Sequence, residues 1–200
     1  LDAPGLPEIA QLGAVLARLH LAAVDLPVVQ PTLRGLSWWQ QTVPVVLPHL
    51  APPQAALLAD ELRFIEAVAA SPSWDALPRG PIHADLFRDN ALFEPVVGDG
   101  YRLSGLLDFY FAGVDVWLFD IAVCLNDWCV DGETGHLDDR RAGALLDAYR
   151  GVRELTTLEW RLLPALLRAA ALRFWLSRLW DWHLPRDAAC LLYTSPSPRD

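Results

Sequence analysis

An α+β fold, mainly helical with one small β-hairpin at its edge, is what this 200-residue sequence predicts. Three features predict it. Apolar residues recur at three- and four-residue steps through residues 1–78, strand-like runs flank Gly98-Asp99-Gly100, and the helical period returns from Val116 onward.

Glu8 to Ala23 places Ile9, Leu12, Leu16, Leu19 and Ala23 on one helical stripe that ends before Asp25 and Pro27. A linker rich in Pro and Val follows. A second helix is predicted over Leu36 to Leu50 despite Pro44 and Pro48, and a third over Pro53 to Ala70, with Pro53 in its first turn and Leu57, Leu58, Leu62, Ile65 and Val68 inward. Ser71-Pro72-Ser73 is expected to close that helix. Pro81 to Ala84 reads as short and extended, and Ala91 to Val97 and Tyr101 to Leu107 as the two strands of a hairpin. Helices are then expected over Val116 to Val130, Asp138 to Arg150, and from Thr157 on, with a restart at Pro164.

Composition narrows the function classes. A hydrophobic share of 53% is enough for a sizeable core and rules out disorder for most of the chain. The net charge is −9, and the 16 cationic side chains are all arginine and do not cluster, so no nucleic-acid or anionic membrane surface is expected. Mean hydropathy is +0.22. The most apolar stretch, Leu162 to Leu184, nevertheless carries Arg168, Arg173, Arg178 and Asp181, and reads as a packed helix rather than a membrane span. No signal-peptide pattern opens the chain. Cys124, Cys129 and Cys190 match no metal or disulfide spacing and read as reduced thiols of a cytoplasmic protein. The absence of methionine predicts an interior piece, or a trimmed product, of a longer chain. Residues 190–200 break the apolar period and resemble a translated sequencing-adaptor remnant, which leaves 1–189 as the functional unit.

The chemistry concentrates in His83-Ala84-Asp85-Leu86-Phe87-Arg88-Asp89-Asn90 and, beyond the hairpin, Asp108. With only five His and two Asn in the chain, composition alone yields His-x-Asp-x-x-x-x-Asn in about four of a thousand shuffled chains. A turn centred on Asp99 would set Asn90 opposite Asp108, bringing two oxygen ligands suited to a hard cation to the open end of the hairpin. Asp85, on the loop leading into the same strand, would face a reacting hydroxyl, a phosphoryl-transfer arrangement. The competing local reading makes Asp85 and Asp108 turn caps and Asn90 a strand start. His83 reads as a buried hydrogen-bonding brace for the loop.

The runs IHADLFRDNALF and LSGLLDFYFAGVDVWLFDIAVCLNDWC resemble the helical C-terminal lobe of the aminoglycoside phosphotransferase-like, protein-kinase-like fold. Together with RGLSWW at 34–39 and ALRFWLSRLWDWHLPR, they resemble the bacterial homoserine kinases built on that fold, over residues 1–189. The resemblance implies ATP and Mg²⁺ as cofactors, L-homoserine as substrate, and a place in threonine biosynthesis. It further implies Asp85 as catalytic base, Asn90 and Asp108 as Mg²⁺ ligands, His83 as loop brace and Asp120 as a structural residue. The N-terminal ATP-binding lobe of that fold carries a Gly-rich turn and a strand lysine. This chain has neither, so that lobe is expected to be absent here and the chain alone to bind ATP poorly. Other substrates of the same fold (aminoglycoside, choline-like, sugar), a silent binding module and a metal-dependent hydrolase are the alternatives.

Substrate contacts are expected among Arg34, Asp115, Asn126 and Asp127. Trp38 and Trp39 serve equally as pocket or packing, and Trp160, Trp175, Trp180 and Trp182 read as core. His20, His49, His136 and His183 form no ligand set.

Overall fold

A computed structural model describes residues 4–184 except 28 and 99. The expected foreign tail at 190–200, Cys190, and Asp99, the expected centre of the hairpin turn, lie outside the described residues.

Helix α1 (Leu6–Ala22) opens with Glu8 accepting the Gly5 N–H at 2.9 Å and buries Ile9, Leu12, Gly13, Leu16, Ala17 and His20, the stripe that three- and four-residue spacing dictates. Helix α2 (Leu36–Val46) runs into a 3₁₀ turn, Leu47–His49, so the second expected helix ends one turn early. Helix α3 (Pro52–Ala69) follows. Ser71-Pro72-Ser73 does not only close it. Ser71 Oγ accepts the Trp74 N–H and starts the short helix α4 (Pro72–Asp75).

Strand β1 (Arg79–Ile82) leads into the His83 loop. Strands β2 (Ala91–Pro95) and β3 (Tyr101–Leu106) form the expected hairpin. Strand β4 (Gly113–Val116), unexpected from the sequence, pairs antiparallel with β1, so the strands make two separate two-stranded sheets rather than one edge. The hairpin register also differs from expectation. Pro95 pairs with Tyr101, which centres the turn-side pairs on Gly98 rather than Asp99; the extra residue Ser104, opposite the Leu92–Phe93 step, restores one of the two residues of difference, so that Ala91 pairs with Leu106. Asn90 therefore stands opposite Leu107, whose N–H donates to the Asn90 carbonyl at 2.9 Å, and Asp108 lies one residue beyond.

Helices α5 (Trp117–Trp128), α6 (Asp139–Arg150) and α7 (Thr157–His183) complete the fold. Helix α1 packs along α6, α5 along α7, and α2 and α3 against α7. Helix α7 starts with a reciprocal cap between Thr156 and Glu159 and continues through Pro164 without a restart. The carbonyl that Pro164 leaves without a partner belongs to Trp160, at the exposed surface where water is available. Trp160 and Trp182 are exposed, against the expectation that they are core; Trp38 packs on Trp180, and Trp39 is buried against Phe119. No helix among the described residues is long and apolar enough to cross a membrane.

Gly13 lets α1 and α6 approach closely, since a Cβ there would overlap the Leu145 carbonyl oxygen. Gly13→Ala is expected to destabilise the protein by about 2–3 kcal/mol. The readout is a lowered denaturant midpoint at unchanged slope. Wild-type stability would contradict the close contact.

Candidate active site

The loop from His83 to Asn90 leaves β1 and returns into β2, with its floor supplied by α5. Asp120, in the first turn of α5 and fully buried, accepts the N–H groups of His83 and Ala84 at 2.8 Å each. Two amides on one carboxylate hold Ala84 at φ 65, left-handed backbone that a residue with a Cβ adopts only when its surroundings impose it. The turn redirects the chain so that Asp85 leaves the floor.

His20 of α1 reaches the same carboxylate, Nε2 to Asp120 Oδ2 at 3.1 Å. A carboxylate only accepts, so Nε2 carries the proton. Nδ1 lies 2.8 Å from the Tyr149 hydroxyl in a second hydrogen bond, and Tyr149 accepts from Arg153 at 3.2 Å. His20 also stacks on Trp117. Burial pushes the Asp120 carboxyl up, but the hydrogen bond and charge of His20, followed by the His83 amide, outweigh it and hold the group below its ordinary value.

His83 is buried and works by the same logic. Its Nε2–H donates to the Leu107 carbonyl at 2.8 Å, and its Nδ1 accepts the Asp85 N–H at 3.3 Å. One ring thus ties the Asp85 backbone to the residue before Asp108, and it packs on Phe109. Asp108 is the second non-glycine residue with left-handed backbone, φ 56, its Oδ1 accepting the Tyr110 N–H. Asn90 Nδ2 donates to the Asp85 carbonyl at 2.8 Å, which leaves the Asn90 amide oxygen for another partner. Leu86, the next residue of the loop, is held by Trp128 Nε1 donating to its carbonyl at 3.0 Å.

Asp85 is 8% exposed and meets a partner that the sequence reading missed: Arg173 of α7 donates from Nη2 to Asp85 Oδ1 at 2.6 Å. Burial pushes the Asp85 carboxyl above its ordinary value; Arg173 and His83 oppose the shift and the nearby Asp108 adds to it. The signal for Arg173 was in the sequence. The buried stripe of α7 runs Leu166, Ala169, Ala170, Arg173, Leu176, and an arginine on a core stripe needs a buried partner.

The four expected substrate contacts separate. Asn126 and Asp127, at the end of α5, line a cavity of about 310 Å³ together with Phe87, Arg173 and Phe174. Both are half-buried. Asn126 Nδ2 donates to the Leu167 carbonyl of α7, and Asp127 Oδ2 accepts the N–H and Nε of Arg88, while burial pushes its carboxyl up. Arg34 lies over the Trp38 ring at 4.1 Å and 5.5 Å from Phe111, the ring that Arg173 also approaches at 5.3 Å. Asp115, on β4, accepts from Thr32 Oγ1 at 3.0 Å and the Val116 N–H, and burial pushes it up. Of the four, Asn126 and Asp127 share a cavity with the partner of Asp85.

The oxygen set suits a hard cation. Among the described residues the Asn90 amide oxygen has no hydrogen-bond partner, and Asp108 is exposed. Among the described residues no three or more His, Cys, Asp or Glu gather as a metal cluster. Two protein oxygens completed by phosphate oxygens and water is the usual Mg²⁺ arrangement in phosphoryl-transfer sites. Cys124 and Cys129 are free and buried, and burial raises both thiols, Cys129 to about 12, which removes them as nucleophiles.

Comparison with known proteins identifies the family and the fold. The model of a family described as "Phosphotransferase enzyme family" matches residues 3–155. The homoserine kinase of Polaromonas naphthalenivorans is 57% identical over 189 residues, which cover 94% of this chain and 58% of that protein. The homoserine kinase of Paraburkholderia xenovorans is 55% identical over 192 residues, with the same coverage. This chain therefore spans 58% of the length of these curated relatives. Among solved structures, the Plasmodium vivax ethanolamine kinase superposes with a TM-score of 0.64 at 15% identity, over 94% of this chain and 57% of that one. An aminoglycoside phosphotransferase from Alicyclobacillus acidocaldarius gives 0.61 at 18% identity, over 94% and 60%. Likeness at that identity carries the fold, the mainly helical lobe with its small hairpin.

Proposed function

Since this chain belongs to the phosphotransferase enzyme family, we propose that it carries the catalytic lobe of an ATP-dependent kinase that phosphorylates the side-chain hydroxyl of L-homoserine. The observation that carries the reading is the Asp85 loop. Among the described residues the Asp85 carboxylate accepts no backbone bond; it stands beside Asp108 and Asn90, on a backbone turn held by Asp120 and His83. The relatives named homoserine kinase support the acceptor.

In this reading Asp85 accepts a hydrogen bond from the acceptor hydroxyl, orients it for in-line attack on the γ-phosphorus and takes its proton as the new P–O bond forms and ADP leaves. Arg173 keeps a cation on the carboxylate. Asn90 and Asp108 are the residues that would hold Mg²⁺; bound there, the ion would neutralise phosphate charge. His83 and Asp120 fix the loop so that no reorganisation is needed at the moment of reaction. Asn126 and Asp127 are proposed to meet the acceptor and Arg34 and Asp115 to border it. A cytoplasmic setting and a role in threonine biosynthesis belong to the same proposal.

The test is ADP release by the enzyme expressed from its complete reading frame, across L-homoserine, ethanolamine, choline, a hexose and an aminoglycoside. The reading expects L-homoserine to give the highest kcat/KM by on the order of 100-fold. Response to another acceptor and none to homoserine would overturn the substrate and keep the reaction class. A second outcome concerns the metal: Asp108→Ala is expected to raise the Mg²⁺ requirement and lower kcat by on the order of 100-fold, and an unchanged Mg²⁺ titration would remove Asp108 from that role.

A further inference from the structure

Arg173 does more than its bond to Asp85 requires. The residue is 3% exposed, with its guanidinium 5.5 Å from the Phe87 ring and 5.3 Å from the Phe111 ring. Nη2 is taken by Asp85, while Nε is buried with no hydrogen-bond partner among the described residues. A buried guanidinium N–H without an acceptor is costly and rare, and it marks a place where an acceptor is due. The same arginine lines the cavity of about 310 Å³. On the α5 side of that cavity stands Asp127, both of whose bonds from Arg88 fall on Oδ2, leaving Oδ1 without a bond among the described residues. Phe87 and Phe174, edge to face at 5.5 Å, supply apolar wall.

A cavity with one cation and one anion on its lining, next to the carboxylate that faces the reacting hydroxyl, fits a short zwitterion. We propose that Arg173 is a specificity-determining residue, receiving the carboxylate of an α-amino-acid acceptor on its Nε–H edge while Asp127 faces the ammonium. The inference rests on the proposed function and deepens it. Neutral and purely cationic alcohols lack the anion that Arg173 would bind, so the site discriminates by leaving a buried donor unpaired with the wrong acceptor. An arginine suits the task because its fork offers two adjacent N–H groups, one to the base and one to the substrate.

The experiment compares L-homoserine with 3-aminopropan-1-ol, which keeps the hydroxyl, the amine and their spacing and lacks only the carboxylate. Both are assayed with the enzyme from its complete reading frame, as wild type, Arg173→Ala and Arg173→Lys. Wild type is expected to prefer L-homoserine by on the order of 100-fold in kcat/KM. Arg173→Ala lowers both substrates, because Asp85 loses its partner, but the preference itself falls to about threefold or less, with the homoserine loss mainly in KM. Arg173→Lys retains the charge, guards against loss of folding in the alanine variant, and is expected to keep a reduced preference. A preference that survives both substitutions, or a wild type active on both acceptors without preference, would overturn the inference, and the first of these would leave Arg173 as a positioning residue for Asp85. A wild type inactive on L-homoserine would instead strike the proposed function, so the two failures are distinguishable.

Discussion

Asp85→Asn is expected to reduce phosphoryl transfer by on the order of 10³-fold while leaving ATP affinity within about threefold of wild type. The substitution keeps size and shape and removes proton affinity. Loop structure does not depend on the side chain: the Asp85 carbonyl binds the Phe87 N–H and Asn90 Nδ2, and its N–H meets His83. An amide oxygen still accepts from Arg173, so the buried guanidinium is not abandoned. The loss should therefore fall on kcat, with KM for acceptor and nucleotide little changed. Steady-state kinetics and equilibrium binding of an ATP analogue separate the two. Turnover within tenfold of wild type would remove Asp85 as the base, and a parallel collapse of nucleotide binding would assign it a structural role.

Asp120→Ala carries the second large effect, on stability. It leaves the His83 and Ala84 amides and His20 Nε2 without an acceptor in a fully buried place, a loss of about 3–5 kcal/mol. Within the site the expected consequence is that Ala84 relaxes out of its left-handed backbone and Asp85 moves away from the acceptor. The pH dependence has a definite sign. The folded carboxyl lies below its unfolded value, so its contribution is complete above the ordinary carboxylate range, near pH 4, and is lost as pH falls through the folded value. Thermal melts from pH 7 to 3 should show Asp120→Asn with a flatter acid decline than wild type. Equal slopes would contradict the buried, depressed carboxylate.

The parts of this fold that were legible are those fixed by local spacing. The stripe from Ile9 to His20 specifies α1, and Gly98 and Gly100 bound the hairpin, without knowledge of the partner. What escaped depends on contacts distant in sequence. Strand β4 is four residues with no alternation, and its identity as a strand comes from β1, more than thirty residues earlier. The hairpin register was misjudged at the turn: the glycine pair suggests a centre at Asp99, whereas the strand pairs nearest the turn are centred on Gly98, and the bulge at Ser104 restores only one of the two residues of difference. In the candidate site, what spacing made legible is that Asp85 and Asn90 share one loop, as the bond from Asn90 Nδ2 to the Asp85 carbonyl shows. Arg173 was passed over because charges in a long helix read as its solvent face, and only the buried positions on either side show that it sits on the core stripe. The link of His20 to Asp120 spans 100 residues and has no local signature.

The most direct measurement is ³¹P NMR of the enzyme from its complete reading frame with ATP, Mg²⁺ and L-homoserine, run beside Asp85→Asn. The account predicts a new phosphomonoester resonance that grows with ADP in equal amount in wild type, requires L-homoserine, and is nearly absent from the variant. ADP forming without a phosphomonoester, or the same ester forming at the same rate in Asp85→Asn, would contradict it.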